Sequence, residues 1–342
     1  MSLGMSSLRV YIASRLLTAI PMVLILLTVV FVALRILPGD PVAAIVGGHA
    51  PPEVIETLRR RLGLDKPLHL QYLDYLWKLM HGDLGKSLIW GQRPVIDELM
   101  ERFPATLELS IFSFIIAVLI GIFTGVRSAR NFGKPVDHAI RVYGIVTYAL
   151  FIPWFGMMLQ LIFGVYLRWL PIGGRADPFM EPKRITGLYV LDSILTLDFP
   201  ALISALRHLV LPSLTLGVYI SGIFTRIVRS HMIEVLRMDY IRAARARGIP
   251  EDRVVYRHAL KNAFVPLLTM MGLQFALLLA GAVLTETTFS WPGMGTYLLE
   301  RILYRDFPAV QGAIVFIAVI IILINLLVDI TYAYLDPRIR LR

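Results

Sequence analysis

The chain has 342 residues, of which 57% are hydrophobic and 17% charged, and its formal net charge is +10. This composition argues against a soluble protein, whose charged fraction is usually about 25%. The absence of cysteine excludes disulfides, thiolate metal ligands and a cysteine nucleophile. A positive charge can indicate nucleic-acid binding, but here the cations are confined to loops between apolar runs, so no nucleic-acid partner is expected.

Six uncharged apolar runs follow one another along the chain. They are residues 16–34, 109–126, 142–167, 209–225, 262–285 and 307–328. Each has about 17 to 26 residues, and about 20 helical residues cross the 30 Å of hydrocarbon in a bilayer. The sequence therefore predicts an all-α polytopic membrane protein with six transmembrane helices. The first run is longer than a signal-peptide core, so we expect it to stay in the mature protein.

The signs of the loop charges predict how these helices are oriented. Acidic and basic residues nearly balance between the first and second runs, whereas the loops after the second and fourth runs are strongly basic. Cytoplasmic loops carry an excess of Lys and Arg, so we expect both basic loops and both termini to be cytoplasmic. The predicted regions are 1–37 (N-terminus and first transmembrane helix), 38–103 (external loop or cap), 104–335 (core of five transmembrane helices) and 336–342 (cytoplasmic tail).

The external loop is predicted to contain amphipathic helices. Pro51, Pro52 and Glu53 can open the first, and residues 68–80 repeat apolar side chains at helical spacing. The stretch GDLGKS that follows lacks the first glycine of a phosphate-binding loop, because that position is Met80. We therefore do not expect this chain to hydrolyse ATP by itself.

One position within an apolar run and one at the end of another are candidates for the lining of a pathway. Pro153 weakens the helix of the third run, and such a break is tolerated where neighbours or a watery cavity satisfy the freed carbonyls. Glu286 is an ionisable group at a membrane boundary. The alternatives are a packing kink at Pro153 and a structural hydrogen bond at Glu286.

The most basic loop, residues 237–266, predicts two helices joined by a turn. Alanines alternate with arginines in the first helix, and Gly248 is expected to end it. Pro250 and the acidic residues after it favour a second helix over about 251–263. Small and cationic side chains together predict a docking site for a cytosolic protein; the alternative is a basic segment resting on anionic lipid headgroups. The predicted contact residues are Tyr240, Arg242, Ala243, Ala244, Arg245, Ala246, Arg247, Gly248, Ile249 and Pro250.

The same loop resembles the EAA loop in the membrane subunits of ABC importers. Ala243 and Ala244, three further residues, Gly248 and the hydrophobic stretch to Pro266 match its spacing, although Arg242 replaces the usual glutamate. The strings ARARG and RHALKNAFVPLL resemble the dipeptide/oligopeptide permease family, as do RFPATLEL, ETTFSWPGMG and LDPRIR elsewhere. The resemblance covers nearly the whole chain.

This resemblance implies the type I ABC importer permease fold and a place in the cytoplasmic membrane. It also implies a second permease subunit of related but different sequence, two cytosolic ATPase subunits that bind ATP and magnesium, and an extracellular substrate-binding protein. The chain would form half of a pathway that works by alternating access. Most members of the family import peptides, and relatives import nickel chelates, glutathione or oligosaccharides.

Two other classes of function fit the sequence less well. A membrane-embedded enzyme needs paired acids or clustered histidines near its spans, but the seven histidines are scattered and the spans hold no carboxylate pair. No catalytic residue, metal site or cofactor is therefore predicted in this chain. A channel that works alone would not need an EAA-like loop.

Overall fold

The structure is a computed structural model that describes residues 3–36, 51–61, 63, 65–89 and 91–335. The predicted tail, 336–342, and the proline-rich exit from the first span, 38–41, lie outside the described residues. All of the named elements in these ranges are helices, and one isolated bridge pairs Lys86 with Pro94. The described chain is thus helical, as predicted.

The helices are numbered here in chain order. The first seven are α1 (Leu3–Ile36), α2 (Pro52–Arg61), α3 (Leu68–Met80), α4 (Val95–Arg130), α5 (Pro135–Ala149), α6 (Ile152–Leu159, continued by a π-helix over Gln160–Tyr166) and α7 (Tyr189–Leu195). The others are α8 (Phe199–Leu236), α9 (Asp239–Ala246), α10 (Glu251–Arg253, continued by a π-helix over Val254–Ala259), α11 (Leu260–Gly281), α12 (Val283–Thr288), α13 (Met294–Leu303) and α14 (Phe307–Leu335).

Each predicted apolar run lies largely on helical elements. By length and composition, α4, α8 and the Phe307–Val328 part of α14 could each cross a membrane. The pair formed by α5 and α6 with its π-helix passes the same test as one broken span. Shorter apolar stretches lie in α1, over Ile20–Ala33, and in α11, over Met270–Leu279.

The third apolar run differs from the simple kink that Pro153 suggested. Helix α5 ends at Ala149, Leu150 and Phe151 have extended backbones, and α6 leaves at an angle of 101° to α5. Pro153 lies in the first turn of α6, where its missing N–H would have had no partner within the helix. The proline therefore starts a new helix instead of bending an existing one.

The centre of the fold is the packing of α4 against α8. Glycines allow the close approach: a Cβ at Gly121 would collide with Phe224, and a Cβ at Gly217 would lie 2.7 Å from Ile116. Phe224 is fully buried there, as is Val228, which lies across from Gly125. Small residues at helix contacts are typical of membrane proteins, in which close packing must replace the hydrophobic effect.

The amphipathic helices predicted after the first span are confirmed. Helix α3 covers the predicted range, Leu68–Met80, and α2 begins at Pro52. Helix α3 packs on α1 through Phe31, whose ring lies 5.2 Å from that of Tyr72 and 5.8 Å from that of Tyr75. This segment therefore sits at the end of α1 that leads into the loop.

Candidate docking site

The basic loop folds as two helical arms around a glycine turn. The Gly248 N–H donates to the Arg245 carbonyl at 2.9 Å, and the Ile249 N–H donates to the Ala244 carbonyl at 3.3 Å. With Gly248 at φ +75°, these two bonds make a Schellman motif at the end of α9. The prediction that Gly248 ends the first helix is confirmed. We call residues 239–253 the docking motif.

The second arm of the docking motif is continuous with a long apolar helix. It starts at Glu251, as predicted, but it does not stop near Ala263. Helical backbone continues through the π-helix into α11 and reaches Gly281, because the residues after Ala263 are mostly apolar and carry the helix on into the core. Uninterrupted helical backbone therefore joins the turn to the apolar core.

Three side-chain contacts fix the two arms relative to each other and to the core. Arg245 makes a two-pronged contact with Glu251, at 2.7 and 3.1 Å. The Arg245 guanidinium lowers the pKa of the Glu251 carboxyl below its ordinary value, so the pair is ionised at neutral pH. Arg130 at the end of α4 pairs with Asp252 at 2.7 Å, and the Asn262 amide donates to the Tyr240 hydroxyl at 2.7 Å.

The predicted contact residues divide into an inner and an outer group. Ala244 is 8% exposed and lies with Ile241 in the hydrophobic core of this chain, and Ile249 packs against that core. Arg245 is engaged with Glu251. The exposed members are Tyr240, Arg242, Ala243, Arg245, Ala246, Arg247, Gly248 and Pro250. Ala243 and Ala246 thus form the face of small side chains that is open to a partner. Ala244 faces inward and holds α9 against the core.

Glu286 is the fully buried centre of a hydrogen-bond network. Its Oε1 accepts from the Thr106 hydroxyl at 2.6 Å, and its Oε2 accepts from the N–H groups of Gly295 at 2.7 Å and Thr296 at 3.0 Å. Those N–H groups open α13, where a helix lacks internal acceptors and carries positive dipole charge. A Cβ at Gly293 would collide with the carboxylate. This geometry favours the structural role for Glu286 over a pathway role.

The surroundings of Pro153 are more open. Tyr148 and Trp154, on either side of the break between α5 and α6, are 58% and 51% exposed. The Tyr148 ring stacks on Tyr219 at 6.5 Å, and the exposed Arg226 lies 5.9 Å from it. A charged side chain on an exposed face within a transmembrane bundle is costly against lipid. This face is therefore suited to water or to another subunit.

Sequence reasoning missed a buried ion pair that ties the loop after α6 to α4. Arg175 donates to Glu108 at 2.6 and 3.0 Å and to the Gly187 carbonyl at 2.7 Å. The other oxygen of Glu108 accepts from the Val190 N–H at 2.8 Å, and the guanidinium lies 3.9 Å from the Tyr189 ring. In the sequence, Glu108 is simply the charged residue before an apolar run. No residue near it indicates that Arg175 is its partner.

Asp192 closes the same loop. Its side chain is buried and accepts from the N–H groups of Ile185, Thr186 and Gly187. Burial raises the pKa of its carboxyl, but the hydrogen bonds from Thr186 and the neighbouring backbone outweigh burial, and the pKa falls below its usual range. Asp192 therefore organises a folded loop.

The described residues contain no group of three His, Cys, Asp or Glu side chains that could hold a metal ion. The docking motif presents small and cationic side chains on its exposed side, and its second arm is continuous with α11.

Comparison with known proteins gives matches along almost the whole chain. The family model described as "Binding-protein-dependent transport system inner membrane component" matches residues 117–341, and the model for the N-terminal part of such components matches residues 8–110. The di/tripeptide transport system permease protein DppB of Pseudomonas aeruginosa is 43% identical over 331 residues, which cover 96% of this chain and 98% of the relative.

Two further relatives match over the same extent. The dipeptide transport system permease protein DppB of Escherichia coli K12 is 41% identical over 334 residues, with 96% and 98% of the two chains covered. The glutathione transport system permease protein GsiC of Salmonella choleraesuis is 40% identical over 333 residues, again with 96% and 98% covered.

Proposed function

Because the chain belongs to the family of binding-protein-dependent transport system inner membrane components, we propose that it takes part in the uptake of dipeptides and other short peptides. It is a permease subunit of an ABC importer, a transport component and not itself an enzyme.

The observation that carries the choice of substrate is the identity of 40–43% over nearly full length with permeases named for short peptides. Glutathione is chemically a tripeptide, so the three relatives share a cargo class. Nickel chelates and oligosaccharides are the competing cargos. Because cargo selection in such systems depends on a separate binding protein, the assignment must be tested with that protein present.

We place the chain in the cytoplasmic membrane with six transmembrane helices and both termini in the cytoplasm. The excess of basic residues in two of the loops supports this orientation, and the six apolar runs of the sequence support the count. Four of these runs lie on helices, or on a bent helix pair, long and apolar enough to cross a membrane. The chain would form half of the translocation pathway and a related permease subunit the other half. The open face around Pro153 and Tyr148 supports a pathway wall at the break between α5 and α6.

We further propose that the docking motif seats in a groove on one of two cytosolic ATPase subunits, which bind ATP and magnesium. The exposed small face at Ala243 and Ala246 lets a partner backbone approach, and the surrounding arginines suit acidic partner residues. Closure of the ATPases would move the turn, and the unbroken helical backbone from Glu251 to Gly281 would carry that movement into the membrane. Alternating access would follow from this linkage.

The experiment is uptake by the complete complex in proteoliposomes. The two permeases, the ATPases and the binding protein are assembled, and labelled dipeptide uptake is measured in competition with glutathione, a nickel chelate and an oligosaccharide. We expect ATP-dependent dipeptide uptake that other short peptides inhibit, and none when the binding protein is omitted. Uptake of the chelate or the oligosaccharide without dipeptide uptake would refute the peptide assignment.

A further inference from the structure

Helix α3 meets α1 with only one of its sides. The rings of Tyr72 and Tyr75 pack on Phe31 of α1, and the Tyr72 hydroxyl lies 2.6 Å from the hydroxyl of Thr28. The half-buried Leu76 lies on the same side, one turn after Tyr72. At 3.6 residues per turn, these positions cover about a third of the circumference of the helix. The rest of α3 therefore faces away from α1.

The rest of α3 divides into a polar side and an apolar side. Gln71, Asp74 and Lys78 form the polar side. Lys66 pairs with Asp74 there, and the Gln71 amide donates to the Lys66 carbonyl at 2.8 Å. The apolar side, which we call the apolar stripe, consists of Leu70, Leu73, Trp77 and Met80, and these side chains are 43–73% exposed. By helical spacing, the centres of the three sides lie roughly 110–130° apart.

The contacts with α1 place α3 at the edge of the membrane. Phe31 and Thr28 precede Leu34, the last residue of the first apolar run, by about 4.5 and 9 Å along the helix. A headgroup layer is about 5–8 Å thick. A tyrosine side chain that reaches these levels is too short to hold its own backbone beyond that layer. The part of α3 around Tyr72 and Tyr75 therefore lies near the boundary between hydrocarbon and headgroups.

The surface of α1 beside these contacts is apolar and uncovered. Val32 follows Phe31 directly, Ile25 and Val29 continue its face by helical spacing, and the three side chains are 44–64% exposed. Within the described residues, α1 packs mainly on α14, whereas α5 and α6 pack mainly on α8. The proposed pathway wall at the break between α5 and α6 is thus built from other helices. An apolar surface away from that wall and at membrane depth is suited to lipid, and the apolar stripe extends it.

We propose that α3 is an interfacial helix, whose apolar stripe inserts into the outer leaflet of the lipid bilayer while its polar side stays in water. Interfacial helices bury one apolar face by about 5–10 Å at the boundary between headgroups and acyl chains. Trp77 is the residue type enriched at that boundary, and the lysines of the polar side reach the headgroups. The inference goes beyond the proposed function. It needs only that α1 crosses the membrane, and the proposed orientation gives the leaflet.

Single spin labels on the complete complex in lipid nanodiscs test the proposal, because the chain contains no native cysteine. Labels are placed at Leu73 and Trp77 of the apolar stripe and, as the matched control, at Lys78 on the polar side. Collisions with oxygen report lipid and collisions with a nickel chelate report water. We expect the ratio of oxygen to chelate collisions to be severalfold higher at positions 73 and 77 than at 78.

Two results would overturn the interfacial helix. Equal collision ratios at the three positions would show that the apolar stripe faces water. Immobilised labels at positions 73 and 77 that collide with neither reagent would show that a protein, either the second permease or the binding protein, covers the stripe. Neither result depends on cargo, so a failure of the proposed function, seen as absent peptide uptake, is distinguished from a failure of this inference.

Fluorescence quenching tests the same point with the native side chain in place. Trp77 is one of five tryptophans, so the emission of the parent minus that of Trp77→Phe isolates its contribution. We expect this emission to be quenched severalfold more by lipids brominated near the headgroup end of the acyl chain than by lipids brominated near its far end. The melting temperature should be the same in both proteins. Emission of Trp77 that neither lipid quenches would overturn the proposal.

Discussion

Replacement of Gly248 by valine should uncouple the transporter without unfolding it. Gly248 has φ +75°, and a Cβ there would meet nothing within 4 Å, so the cost is backbone strain and not collision. A left-handed conformation costs an L-residue about 1–2 kcal/mol, which lowers the population of the native turn by a factor of about 5–30. The turn would relax by giving up the Schellman bonds to Ala244 and Arg245, and the angle between the two arms would change.

A matched control separates this effect from general destabilisation. Gly82 also has φ +75° with no atom within 4 Å of a Cβ, but it lies in the loop after α3. Both valine variants should lower the melting temperature to a similar small extent, and only Gly248→Val should lower cargo-stimulated ATPase activity in proteoliposomes. Gly248→Asn should be milder, because asparagine tolerates this conformation. Full stimulation in Gly248→Val, or equal losses in both variants, would refute the reasoning.

Three further predictions use the burial of particular side chains. Ala243→Trp, on the exposed face, should reduce co-purification of the ATPase and leave the melting temperature of the permease unchanged. Ala244→Trp should lower that melting temperature, because the larger side chain overfills the core. The reverse pattern would contradict the assigned faces. Glu286→Ala should cost about 1–3 kcal/mol of stability for the donors it leaves unpaired, with cargo preference unchanged; altered preference would instead support a pathway role. Arg175→Ala should cost about 3–5 kcal/mol because it strands the buried Glu108, and a thermal unfolding curve like that of the parent would show that this pair does not hold the loop.

The sequence predicts those features whose causes are local. A periodic apolar pattern defines α3, because successive turns of one helix present the same face. Gly248 ends α9 because one residue alone must adopt a left-handed backbone. The apolar runs can be recognised as membrane-spanning helices, because the thickness of a bilayer dictates the length of such a run. In each case the information lies within a few turns of chain.

Features that depend on distant residues could not be predicted in this way. Glu286 meets Thr106 across 180 positions of sequence, and Arg175 meets Glu108 across 67. A carboxylate beside an apolar run looks the same whether it faces water, a pathway or the first N–H groups of another helix. The inward orientation of Ala244 has the same origin, since it depends on which side of α9 packs against the core.

The contacts of the docking motif also determine where the chain can bend during transport. Contacts from Arg245 to Glu251 and from Arg130 to Asp252 connect the motif to α4, and helical backbone continues from its second arm into α11. The buried Asp137 of α5 accepts a hydrogen bond from Ser128 of α4, so we treat the motif, α4, α5 and α11 as one body. The helical backbone is interrupted instead at Leu150 and Phe151. Movement should therefore concentrate at that break, which separates α5 from α6.

Spin-label distances test this directly, because the chain contains no native cysteine to block. Labels at His138 and Ala246, both exposed within the proposed rigid body, should keep their separation when ATP is added to the complete complex. Labels at His138 and Met157, on opposite sides of the break, should change theirs. A large change between His138 and Ala246, with none between His138 and Met157, would contradict this prediction. It would mean that the docking motif itself is the hinge and that its movement is not carried rigidly into α11.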